Sequence, residues 1–242
     1  MRQDTFMHTL VEICIDDLDG ALVAERAGAD RVELCGNLVE GGTTPSIGLL
    51  TRVLDSVGRV GVQVMVRPRG GNFVNSASEL SVMQADIRAI RRAATGTAVR
   101  VGVVLGVLTR DNHIDQTAMR RLIADAAELP VTFHKAFDEV FDLGAALEQL
   151  GELGVERVLT SGGQTTAIDG GGALRDLRQH GSAVRILAGG GVRAHNVAAL
   201  VASTGVSEVH LRAQVASPLG TGTLATDFDT IRSVIGALAG PH

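Results

Sequence analysis

The sequence predicts a single (β/α)8 barrel, the TIM-barrel architecture, over the whole of its 242 residues. Three observations carry this reading. The length is close to the ~250 residues typical of one eight-fold β/α barrel. Short runs rich in β-branched residues recur at the spacing of a βα unit, the signature of a parallel sheet with crossover helices. The runs number eight, whereas an open doubly wound sheet of this length more often has about five to seven strands.

Taken in order, the expected strands are 9–14, 31–34, 60–66, 99–104, 131–134, 157–159, 185–188 and 208–211, with 1–8 as an N-terminal extension. The segments between them carry helix signals. Ser76 and Glu79 form a capping box ahead of Leu80, Met83, Ile87 and Ile90, which share one helical face. Asp142 caps a helix whose Leu143, Ala146, Leu147, Leu150 and Leu153 repeat at three and four residues. The stretches Ala27-Gly28-Ala29-Asp30 and Leu153-Gly154-Val155-Glu156 are alike: each reads as a helix ending at a glycine and followed by a strand. No linker, low-complexity tract or charge run divides the chain, so one domain is expected.

Composition narrows the partners. The net charge is −5 with no basic block, which argues against nucleic acid and anionic membrane surfaces. Trp and Tyr are absent, so base-stacking platforms are scarce. The longest apolar stretches are strand-sized, and the N-terminus lacks the apolar core of a secretory signal. Two cysteines make no disulfide framework, so a reducing, cytoplasmic setting is expected.

Chemistry concentrates at the carboxyl ends of the expected strands, where barrel enzymes do their work. Residues two apart on a strand share a face. Glu12 and Cys14 therefore pair on the first strand, and Glu33 and Cys35 on the second. Arg67 and Arg69 leave the third strand on one side, suited to clamping a carboxylate or phosphate, or to pairing with Glu12 or Glu33. His134 and His210, on strands five and eight, are candidate general acid–bases. The run Gly189-Gly190-Gly191, opening a helix expected to start near Arg193, offers backbone N–H groups to an anion. Lys135 is the single lysine; adjacent strand residues face opposite ways, so it is expected to point away from His134. The catalytic candidates are thus Glu12, Glu33, Arg67, Arg69, His134 and His210. The thiols of Cys14 and Cys35, on neighbouring strands, suit Cu(I) or serve as small buried hydrophobes. No CxxC or third cysteine supports zinc or iron–sulfur.

The segments EIC, AGADRVELC with EGGTTPSIG, RPRGG, PVTFHKAFD, ERVLTSGG, AGGGVR and SEVH, running in order from about Val11 to His210, together resemble the CutC family. The resemblance implies a cytoplasmic barrel, often a homodimer, linked to copper homeostasis, with Cys14 and Cys35 at the positions held to bind Cu(I). Lys135 stands where an arginine is usual. The segment after His210 and the tail 217–242 depart from the family pattern. Two readings stand side by side: a copper-binding homeostasis protein, and a barrel enzyme acting by acid–base chemistry on a small anionic or phosphorylated metabolite.

Overall fold

The computed structural model describes residues 8–217 and 223–239. Eight parallel strands, each paired in sequence order, close into a barrel through β1 (Leu10–Ile15) and β8 (Glu208–Leu211). The others are β2 (Arg31–Leu34), β3 (Gly61–Met65), β4 (Val101–Leu105), β5 (Val131–Phe133), β6 (Arg157–Thr160) and β7 (Arg185–Gly189). The helices between and after them are α1 (Leu18–Ala27), α2 (Ile47–Ser56), α3 (Ala77–Ala94), α4 (Gln116–Ala126), α5 (Leu143–Glu152), α6 (Gly171–Gln179), α7 (Val197–Thr204) and α8 (Phe228–Ala239). None is long and apolar enough to cross a membrane among the described residues.

Local chemistry sets the helix ends as the sequence leads one to expect. At α3, Ser76 accepts the Glu79 N–H while Glu79 reaches back to the Ser76 N–H. Asp142 caps α5 by accepting from Ala145, and α1 ends at Gly28 in the left-handed region. The apolar faces of these helices pack on the outward residues of the strands, forming one continuous core between sheet and helix layer.

The barrel interior is a separate and largely polar compartment. Register places Glu12 between Arg31 and His210, and Glu33 between Cys14 and Gln63. Arg31 bonds Glu12 and, at 2.9 Å, Glu208. Arg157 bonds Glu208 at 2.5 Å and Thr132 at 3.3 Å. This ladder of opposite charges fills the amino-terminal half of the barrel, where apolar side chains would ordinarily sit. A small apolar cluster, Cys14, Cys35, Leu38, Met65 and Val104, lies above it.

Three local features differ from expectation. Strand five stops at Phe133, and His134 caps a 3-10 turn over Lys135–Glu139 instead of extending the strand. The helix after β7 begins at Val197, not near Arg193. The intervening turn is tied by Asn196, whose side chain accepts from the Arg193 N–H at 2.8 Å and donates to the Gly191 carbonyl at 2.9 Å. Beyond the barrel, two short antiparallel strands, β9 (Gln214–Ala216) and β10 (Leu224–Thr226), precede α8. The expected N-terminal extension falls, apart from His8, outside the described residues.

Candidate functional site

A cavity of about 270 Å³ opens at the carboxyl ends of the strands. Its floor is Cys14, Glu33 and His210, its walls Met65, Arg67, Phe73, His134, Leu159 and Leu211, and its rim carries Lys135, Arg193 and Arg212. Gly190 and Gly191 complete the mouth.

The floor is built from strand parity. Glu33 Oε2 lies 3.2 Å from Cys14 Sγ and 3.6 Å from Cys35 Sγ, so one carboxyl sits between two thiols. The two sulfurs and a Glu33 oxygen all lie within 4.8 Å of one another, and the cysteines form no disulfide. Cys35 is sealed below the cavity by the following loop. A Cβ on Gly42, whose φ is +93°, would stand 3.0 Å from its sulfur, so only glycine lets the chain close there. Beneath the thiols, His210 Nδ1 lies 2.8 Å from Glu12 Oε1, and its Nε2 is 3.8 Å from Glu33.

Electrostatics follow from this packing. Burial would push Glu12 up, but Arg31 and His210 overcome it and hold the carboxyl down at about 2. Burial opposes the charge on His210, yet the carboxylates and the thiol around it raise its pKa well above the ordinary value, making it an imidazolium. Burial, with Cys14 alongside, pushes Glu33 up. The Cys35 hydrogen bond, then contact with His210, pulls the Cys14 thiol down against its own burial. The Glu33 carboxyl and the Cys14 thiol thus shift in opposite directions beside His210.

His134 differs in kind. Burial and the nearby Arg67 lower its pKa to about 3, so the ring is neutral. Its Nδ1 accepts the Ala136 N–H at 3.2 Å. Its Nε2 and Glu33 Oε1 are both buried and have no partner among the described residues.

The structure thus brings Glu33, Arg67, His134 and His210 to one cavity, with Glu12 directly beneath as the partner of His210. Arg69 does not join them. It bonds Glu79 at 2.6 Å and the carbonyls of Gly70, Asn72 and Val74, and so stabilises the loop before α3. Arg67 lines the wall, but its terminal nitrogens bond the carbonyls of Glu40, Gly42 and Gly71, leaving Nε without a partner. Gly189 is a buried strand residue whose missing side chain accommodates Leu159: a Cβ there would meet Leu159 Cδ1 at 2.6 Å. Gly190 and Gly191, with φ of +110° and +70°, are the two that border the cavity. The N–H groups of Gly191 and Val192 have no partner among the described residues. Because α7 starts four residues past Arg193, any anion here would be held by loop amides rather than by a helix dipole.

Sequence reasoning missed several lining groups. Lys135 does reach the cavity, because the strand has already ended and alternation no longer applies; it bonds Asp138 at 2.7 Å and Ser161 at 2.8 Å. Arg212, two residues past His210 at the end of strand eight, also lines the cavity. Phe73 and Arg193 lie on loops, where no periodicity points inward.

Fold and site together define a (β/α)8-barrel protein with a thiol-floored cavity ringed by cations at its carboxyl end. The CutC family model matches residues 9–215, and the chain belongs to the CutC family. It is 45% identical over 206 residues to the human copper homeostasis protein cutC homolog, covering 85% of this chain and 73% of that protein. A CutC family protein of Mesorhizobium japonicum is 46% identical over 205 residues, covering 84% of this chain and 77% of that one. The crystal structure of CutC from Streptococcus agalactiae superposes with a TM-score of 0.78 at 35% identity, covering 84% of this chain and 97% of that one.

Proposed function

We propose that this chain binds Cu(I) as cargo through Cys14 and Cys35, in keeping with the copper homeostasis role named for its human relative. The observation that carries the reading is the pair of unbridged thiols within 4.8 Å of one another, flanking Glu33. Soft thiolate ligands select Cu(I) over harder ions. Cys14 lines the cavity, so an ion has a route in, and its lowered pKa supplies the thiolate that metal binding needs. Titration with Cu(I) under anaerobic, reducing conditions against a chromogenic chelator tests this. One Cu(I) per chain is expected in the wild type and none retained by the Cys14→Ser, Cys35→Ser double variant. Equal retention by the folded double variant overturns the assignment.

A second reading, an enzyme acting by acid–base chemistry on a small anionic metabolite, is favoured by a different observation. Arg193, Arg212 and Lys135 ring the mouth beside the N–H groups of Gly191 and Val192, which are unpartnered among the described residues. Successive loop amides at a left-handed glycine such as Gly191 make anion-binding concavities. Millimolar phosphate is expected to raise the melting temperature above a chloride control, and a ligand at a hundredfold excess over its Kd adds about 2.7 kcal/mol. An unchanged melting temperature, or the same rise in an Arg193→Ala, Arg212→Ala variant, counts against this site.

A further inference from the structure

We propose that the ligand of the barrel mouth is a small hydroxycarbonyl compound bearing a phosphate or carboxylate, with its carbonyl oxygen accepting a hydrogen bond from His134 Nε2. The inference rests on the second reading above and names the class of molecule that reading leaves open.

The first argument is the tautomer. A neutral imidazole has one donor nitrogen and one acceptor nitrogen. His134 Nδ1 accepts the Ala136 N–H at 3.2 Å, because His134 is the capping residue of the 3-10 turn that ends strand five. The ring proton therefore sits on Nε2. That nitrogen is buried without a partner, and the residue is only 3% exposed. Burying an unsatisfied donor is costly, and proteins keep such groups where something else satisfies them.

The second argument is rigidity. The His134 ring lies 4.8 Å from that of Phe73 and 5.8 Å from that of Phe133, centroid to centroid. On another side, a Cβ at Gly106 would come within 2.6 Å of the imidazole, so the ring fills the space a side chain there would need. Phe73 is itself covered by the Arg67 guanidinium at 4.9 Å. The donor direction is thus set by packing, as a recognition group requires.

The third argument separates the two ends of the ligand. His134 stays neutral, held down by burial and then by Arg67, so it offers a dipole and no charge. An anionic group is better placed at the mouth with Arg193, Arg212 and the Gly191 amide, leaving a neutral oxygen for His134. A neutral imidazole donating to a carbonyl is a known way to polarise it. On the floor, Glu33 Oε1 is a buried acceptor with no partner, and it calls for an O–H on the same molecule. A cavity of about 270 Å³ limits that molecule to metabolite size.

Calorimetry on the copper-free, reduced protein tests this with four probes: dihydroxyacetone phosphate, hydroxypyruvate, glycerol 3-phosphate and inorganic phosphate. One of the two carbonyl probes is expected to bind about tenfold more tightly than glycerol 3-phosphate, the worth of one oriented hydrogen bond. Which of the two binds identifies phosphate or carboxylate as the anionic end. The infrared carbonyl band of the bound probe is expected to shift to lower frequency in the wild type, and the shift to vanish in His134→Phe. If glycerol 3-phosphate or phosphate binds as tightly as the carbonyl probes, or the band does not move, the proposal fails while the anion site stands. If none of the four binds, the anion reading fails and the proposal with it. The wild-type comparison and the infrared band decide the matter even if His134→Phe does not fold.

Discussion

At the scale of single residues, Glu12 shows how position decides chemistry. It is 1% exposed, yet it remains a carboxylate because Arg31 and His210 both bond it. Its folded-state pKa of about 2 lies below the ordinary 4.5. The stability it contributes is therefore fully present above pH 4.5 and is lost as the pH falls toward 2. Replacing Glu12 by Gln leaves Arg31 and His210 short of a counter-charge and is expected to cost about 3 kcal/mol at neutral pH. Urea unfolding of wild type and variant across a pH series checks this: the gap between them should close as acid protonates the wild-type carboxyl. His210 obeys the opposite sign. Its raised pKa contributes stability that is present below its ordinary 6.5 and lost as the pH rises through the higher folded value. In Glu12→Gln the His210 imidazole should titrate at lower pH, visible by NMR of its ring protons.

At the scale of elements, the loop after β5 organises the loop after β6. Asp138 accepts from Thr160 Oγ1 at 2.5 Å, from the Ser161 and Gly163 N–H groups at 3.0 and 2.9 Å, and from Lys135 Nζ at 2.7 Å. The Thr160-Ser161-Gly162-Gly163 segment at the end of β6 is thereby turned to structural use. Its glycine amides bond Asp138 and Thr160 rather than a ligand. Removing Asp138 leaves several buried groups unpaired, so Asp138→Ala is expected to destabilise by about 2–4 kcal/mol. Chemical denaturation measures the loss, and limited proteolysis should find its first new cut within 161–170.

At the scale of the whole molecule, the barrel holds two compartments of opposite character. Outside the sheet lies an apolar core; inside lies the ladder Arg31, Glu12, Glu208 and Arg157, all 5% exposed or less. Buried ion pairs cost desolvation, and removing one member strands the rest. Glu208 bonds both arginines, so Glu208→Ala is expected to cost about 3–5 kcal/mol, read as a fall in melting temperature. Joint replacement of Arg31, Glu12, Glu208 and Arg157 by apolar residues of similar volume is expected to recover much of that loss. The same substitution would remove the counter-ion of His210, separating what the ladder does for stability from what it does for the site.

The sequence by itself determined the barrel, the place of every one of its eight strands to within about two residues at either end, and the face that Glu12, Cys14, Glu33 and His210 share. It could do so because strand alternation and helix capping are local rules, readable a few residues at a time. Only the tertiary structure decided which polar groups reach the cavity. Arg67 and Arg69 share a type and a neighbourhood, yet one lines the wall and the other braces a helix. Lys135 enters the cavity because its strand ends one residue before His134. Gly189 packs against Leu159 while Gly190 and Gly191 border the mouth. In each case the outcome depends on where a strand stops and which loop closes over it, and contacts between residues far apart in the chain decide that.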